Sequence, residues 1–195
     1  MAVTADLKKC SIAVKFEGQL FEISENVNAP TYLVKLAQDL FARNKIDLQK
    51  IDRIITASGP GSFTGIRTAQ SFVKGLSLAM KIPAVCASYF QVIKNLFEKT
   101  LEQKNDLVAI IKSEKNQVYF HDFVTGNFGV SPYDSLEKML GSAKSIPLAG
   151  DKIDEILQNT ERKFFEIKDY KNAKNFLELT EFEPKVSPLY INARA

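Results

Sequence analysis

The stretch Ile54 to Arg67, reading IITASGPGSFTGIR, constrains the chain more than any other. An apolar run, Ile51 to Ala57, stands before the glycines at 59, 61 and 65, and an apolar-periodic segment from Phe63 to Met80 follows. That order predicts a strand, a tight turn and a helix. A strand that leaves through a helix rejoins its sheet in parallel, so the segment points to a mixed α/β fold. Gly59, Gly61 and Gly65 permit positive φ or close backbone approach. Pro60 stiffens the turn and removes one N–H donor. Ser62 is a natural N-cap, with Thr64 as the alternative.

Two readings of the turn stay open. The positive end of a helix binds anions, which makes Gly59, Gly61, Ser62, Thr64 and Gly65 candidate nucleotide or phosphate residues, and the chain then an ATP-binding or hydrolysing enzyme. The sequence is no Walker A loop, because Ile66 and Arg67 replace the required lysine and hydroxyl. Nor is it a dinucleotide fingerprint: Gly65 comes one position late and no acid follows at the needed distance. The other reading is a strand-to-helix turn without a ligand.

The helix that follows has two apolar faces. Ile66, Ala69, Val73, Leu76 and Met80 make one; Gly65, Thr68, Ala69, Phe72, Gly75 and Ala79 make the second. Arg67, Ser71, Lys74 and, more loosely, Gln70 form a narrow polar strip. A helix packed on one sheet needs an apolar stripe of only about 100°. Either this helix is covered twice by its own chain, or its second face meets another protein. The helix predicted over 30–44 is similarly broad, with Leu33, Leu36, Ala37 and Leu40 at helical spacing and Val34 and Phe41 beside them. The two helices together make a candidate partner surface.

Elsewhere the pattern predicts a hairpin from Ser11–Phe16 and Gln19–Ile23 across Glu17-Gly18, with one more short strand over 1–4. A turn over 47–50, a strand over 84–87 and a helix over 89–103 follow. A second half opens near Asn105, with strands over 107–111, 117–123 and 146–150 and helices over 135–140, 153–158 and 173–179. The expected division is 1–104 and 105–195. No internal repeat or low-complexity segment is visible.

Composition excludes some classes. With 195 residues, 45% hydrophobic and 25% charged, the chain is an ordinary globular protein. The net charge of +3 is spread over scattered lysines and gives no basic stripe for nucleic acid. Cys10 and Cys86 lack metal spacing and suit a reduced, cytoplasmic compartment. The N-terminus lacks a signal-peptide pattern, and no run reaches the roughly 18–20 apolar residues of a membrane span. His121 is the single histidine, so a histidine-based metal site is not expected. Ser62 with His121 as a hydrolase pair lacks the nucleophile-elbow setting. Asp52 and Arg53 read as a surface pair.

Residues 59–67, GPGSFTGIR, followed by Lys74-Gly75-Leu76 and Ala79, resemble the signature of the TsaB (YeaZ) family. Those proteins belong to the bacterial machinery that makes threonylcarbamoyladenosine in tRNA. Weaker similarity runs through Cys10–Val14, Gln117–Tyr119 and Pro188–Tyr190. The resemblance implies an actin-like, ribonuclease-H-like ATPase fold in two lobes with the second reduced. It implies no catalytic residues, metal or cofactor of the chain's own. It implies pairing with a TsaD-like catalytic subunit through Leu33, Leu36, Leu40, Gly65, Thr68, Ala69, Phe72, Gly75, Leu76 and Ala79. A TsaE-like ATPase joins that assembly and tRNA is met only through the complex; in isolation, a homodimer through the same helices and a monomer both stay open. The family's usual Asp-Thr-Ser at the end of the first strand falls here on Thr4-Ala5-Asp6. A family histidine falls on Ala29 or Pro30, and the second-half acid and base fall on Lys112 and Glu114.

Overall fold

The computed structural model describes residues 1–6, 9–27, 29–101, 106–113, 116–140, 146–156, 163–189 and 191. Their contacts form two compact units. The first joins Met1–Tyr89 to Lys171–Leu189, and the second is built from Phe90–Tyr170.

The first unit holds β1 (Ala2–Ala5), β2 (Cys10–Phe16), β3 (Gln19–Glu25), β4 (Ile54–Gly59) and β5 (Ala84–Ser88) in the order β3-β2-β1-β4-β5. The first three run antiparallel; β4 lies parallel to β1, and β5 to β4. Glu17 and Gly18 both take positive φ, 49° and 80°, the backbone that a two-residue hairpin turn demands. Val3 pairs with Ile12, which puts Met1, Val3, Ala5, Cys10, Ile12 and Val14 on one face. There they meet Leu33, Leu36, Ala37 and Leu40 of α1 (Ala29–Arg43) and Ala69 and Val73 of α2 (Phe63–Met80).

The opposite face carries small side chains, Ala2, Thr4, Ser11 and Ala13, all buried. Lys171–Leu189, here called the strap, lies on it and contains a 3-10 turn over Ala173–Glu178. The Thr4 hydroxyl donates to the Lys171 carbonyl at 2.7 Å, and the Ala173 N–H donates to Ser11 Oγ at 2.9 Å. Small residues let the strap backbone come that close. The short strand expected over 1–4 is therefore central, covered on both sides.

The second unit holds β6 (Val108–Lys112), β7 (Gln117–Asp122), β8 (Phe128–Pro132), β9 (Leu148–Gly150) and β10 (Phe164–Glu166) in the order β10-β9-β6-β7-β8. Strands β6, β7 and β8 are antiparallel, while β9 and β10 extend the sheet in parallel from β6. Val108, Ile110, Val118 and Phe120 pack on Leu136 of α4 (Tyr133–Leu140) and on Ile153 and Ile156 of α5 (Ile153–Ile156). The other face meets α3 (Tyr89–Leu101): Phe90 stands edge-on to His121 at 5.5 Å and Phe97 edge-on to Phe165 at 5.0 Å.

Strand order and direction are the same in both sheets, first strand in the middle, hairpin to one side, parallel pair to the other. This is the α/β, actin-like and ribonuclease-H-like arrangement. The break between units falls at Tyr89/Phe90 rather than at 104/105, because α3 packs with the second sheet and the strap returns to the first. The sequence reading missed β8 and β10, and the helix expected over 173–179 is a 3-10 turn. Residues 102–105, 114–115 and 157–162 lie outside the described residues, so the expected ends at Gln103, Asn105 and Gln158 and the position of Glu114 do too.

Candidate functional site: the 59–67 turn and the outer face of the first two helices

Strand β4 is buried along its whole length and delivers the chain to Gly59 at φ 119°. A Cβ at Gly59 would stand 3.2 Å from Ile66 Cδ1, so conformation and space both select glycine. Ser62 caps α2: its Oγ accepts from the Gly65 N–H at 3.3 Å, and its carbonyl accepts from the Ile66 N–H at 2.9 Å. The far end closes on Lys81 in the left-handed region, φ 55°, where the Ile82 N–H also donates to the Ser77 carbonyl at 3.2 Å.

Gly65 has a different task. A Cβ there would lie 2.6 Å from Asp6 Cα and 2.7 Å from the Ala5 carbonyl oxygen. The start of α2 rests directly on the end of β1, and only glycine permits that approach. The Asp6 carboxylate pairs with Lys171 Nζ at 2.9 Å. Burial, and then the charge of Asp6, push the buried Tyr89 phenol above its ordinary range. The five candidate phosphate residues are thus brought together in one turn. However, Ser62 Oγ and the Gly65 N–H are engaged with each other, and the backbone of Ala5 and Asp6 fills the space against Gly65.

The partner candidates divide. Leu33, Leu36, Leu40, Gly65 and Ala69 are buried within the first unit; they hold the helices on the sheet and present nothing outward. This corrects half of the expected surface, and its cause is plain: β1 and β2 claim the inner faces of both helices. Thr68, Phe72 and Leu76 are half-buried, and Gly75 and Ala79 are exposed. A Cβ at Gly75 would touch nothing within 4 Å among the described residues. Three large apolar side chains join them: Leu78 is 82% exposed, Val34 56% and Phe63 55%. Val34, Phe41, Phe72 and Leu76 help line a groove of about 580 Å³ between α1 and α2. At the start of α2 the Arg67 guanidinium lies 3.7 Å above the Phe63 ring, a cation–π pair at an exposed site. Leu78 went unnoticed in the sequence, although it extends the strip Arg67, Ser71, Lys74 by one turn. An apolar residue on a polar strip was the available signal.

The remaining candidates are placed as follows. His121 stacks on Phe123 at 4.1 Å in the second unit, and burial holds its imidazole below its ordinary value. Ser62 belongs to the first unit and serves as a cap. Lys112 pairs with Glu155 at 2.6 Å. Cys10 and Cys86 are free and buried. Among the described residues no group of three or more His, Cys, Asp and Glu side chains is placed to hold a metal. No described helix is long and apolar enough to cross a membrane.

Comparison with known proteins places this architecture. The family model described as TsaD, tRNA N6-adenosine threonylcarbamoyltransferase, matches residues 30–179. The tRNA threonylcarbamoyladenosine biosynthesis protein TsaB of Buchnera aphidicola subsp. Baizongia pistaciae is 25% identical over 216 aligned positions, covering 100% of this chain and 98% of that protein. The protein of the same name from Haemophilus influenzae is 27% identical over 127 residues, 64% of this chain and 53% of its own length. The solved structure of YeaZ from Pseudomonas aeruginosa superposes with a TM-score of 0.72 at 22% identity, covering 97% of this chain and 99% of that one. The chain belongs to the family described by TsaD, tRNA N6-adenosine threonylcarbamoyltransferase, and within it to the TsaB (YeaZ) proteins.

Proposed function

We propose that the chain is a non-catalytic subunit that pairs with a TsaD-like catalytic subunit in making threonylcarbamoyladenosine in tRNA. The observation that carries this reading is the outer side of α1 and α2, where Val34, Phe41, Phe72 and Leu76 help line a largely apolar groove and Leu78 and Phe63 stand exposed elsewhere on α2. Each large apolar side chain left in water forgoes roughly 1.5–3 kcal/mol of burial, and several of them beside an apolar groove favour an interaction surface. Gly75 and Ala79 let a partner helix approach. The self-capped turn beside Asp6 supports a scaffold rather than an ATP-hydrolysing enzyme. A TsaE-like ATPase joins the pair, tRNA is met through the complex, and the work is done in the cytoplasm. Without its partner, the same apolar face drives homodimer formation.

The test is to mix the chain with a cognate TsaD at micromolar concentration and follow size-exclusion elution. Co-elution is expected, with loss of the complex in Gly75→Glu, which places a charge where Cβ space is open and the fold is untouched. Ala69→Glu is no test, because Ala69 is buried in the chain's own core. Separate elution of the wild-type proteins overturns the reading.

A further inference from the structure

The strap grips the supports of the 59–65 turn at three places. At its start, Lys171 Nζ pairs with Asp6 Oδ2 at 2.9 Å, and the Asp6 backbone is the surface on which Gly65 rests. In its middle, the buried Phe176 ring meets Tyr89 edge-on at 5.7 Å. The Tyr89 ring in turn backs Gly61, whose Cβ position lies 3.8 Å from Tyr89 Cε2. At its end, the Leu189 N–H donates to the Ser58 carbonyl at 2.8 Å, one residue before Gly59. The first of these contacts joins residues 165 positions apart in sequence.

Three glycines make the turn costly in conformational freedom to order. Its own hydrogen bonds, those of Ser62, order only the helix start. Pairing of Gly59 with Ser88 and the Ile66 side chain hold it from the β5 and α2 sides; the contacts at Asp6, Tyr89 and Ser58 add three more supports, and each of these is held by the strap. We propose that the strap is a conformational lock: it fixes the turn, through the turn the seat of α2, and so the surface offered to the partner. The last step rests on the pairing role proposed above. The Lys171–Asp6 pair, about a third exposed on each side, is the weaker grip; Phe176, fully enclosed, is the stronger. Lys171 and Phe176 are positioning residues that touch no partner.

Hydrogen exchange on the full chain, without partner, tests the lock apart from the pairing claim. Phe176→Ala is expected to raise exchange of the 59–66 amides at least about tenfold while leaving β6 and β7 unchanged, as local opening requires. Lys171→Ala raises it a few-fold, and Lys171→Arg restores the wild-type rate. In a TsaD titration Phe176→Ala then binds about tenfold more weakly. Unchanged exchange at 59–66 in Phe176→Ala overturns the lock; if that variant does not fold, unchanged exchange in Lys171→Ala does so. A loosened turn with wild-type affinity overturns the link to the partner surface. A wild-type chain that binds no TsaD overturns the pairing role and leaves the exchange result standing.

Discussion

In the first unit a strap built around a 3-10 turn covers the second face of the sheet, over Ala2, Thr4, Ser11 and Ala13. In the second unit the 13-residue helix α3 does so, over His121 and Phe165. The sheets beneath have one strand order. Each covering segment follows the fifth strand of the other unit: α3 leaves β5, and the strap comes after β10. One topology therefore accepts two kinds of cover, provided that side-chain size on the sheet matches the cover. A strap needs small residues beneath it, because its backbone makes the contacts. A helix needs large ones, because its side chains do.

The two strand-to-helix turns make a second comparison. Before α2, Ser62 caps the helix and Gly65 lets it rest on β1. Before α5, the Glu166 carboxylate accepts from the Lys152 N–H at 2.8 Å and the Ile153 N–H at 3.4 Å. At Gly150 a Cβ would collide with the Ile110 carbonyl oxygen. Both turns use a glycine to press against the first strand of their sheet, and both helix starts are capped from within the chain.

The largest effect expected is at the helical cover. Phe97→Ala removes a buried ring and should cost the second unit about 3–5 kcal/mol, read from chemical denaturation, while exchange in β1 and β2 stays as it was. Next come the turn glycines. Gly65→Ala should cost about 3 kcal/mol, since backbone rather than a flexible side chain must give way, and Gly150→Ala should do the same to the second unit. If either melts like wild type, the shared role of these glycines is wrong. Gly75→Ala, with open space and a mid-helix site, should instead stabilise by about 1 kcal/mol. Thr56→Val should also stabilise by about 1 kcal/mol, because the buried Thr56 hydroxyl has no hydrogen-bond partner among the described residues. The smallest effect is in pH. The folded imidazole of His121 sits below its ordinary value of 6.5, so below that pH the unfolded chain binds more protons. The contribution of His121 to stability is then full above about 6.5, declines as pH falls, and levels once the folded imidazole is protonated too. Denaturation curves of His121→Phe should lack that decline.

Much of the first unit was legible in the sequence, because its elements are long and periodic. The bounds Phe63 to Met80 for α2 followed from Ser62 before and Pro83 after. β8 was hidden by Gly129 and Pro132, residues that an edge strand tolerates; Gly129 is required there because a Cβ would sit 3.0 Å from the Phe120 ring. β10 has three residues, too few to show a period. The strap was illegible because its partners, Asp6, Tyr89 and Ser58, lie far from it in sequence. For the same reason the shared strand order was invisible: the units match in topology while their helices differ in length. At the candidate site, apolar periodicity located the helices but could not separate inner from outer faces. The same spacing therefore puts Leu33 and Leu36 in the expected surface and gives Leu78, on the polar strip, no place in it.

The account stands most directly on the outer face of α2. A calorimetric titration of cognate TsaD into the wild-type chain, Leu78→Asp and the second-unit control Val124→Asp would test it. Removing a leucine that the partner would cover and adding an unpaired charge should weaken binding at least about a hundredfold, while Val124→Asp binds like wild type. Leu78→Asp binding as tightly as wild type would contradict the account.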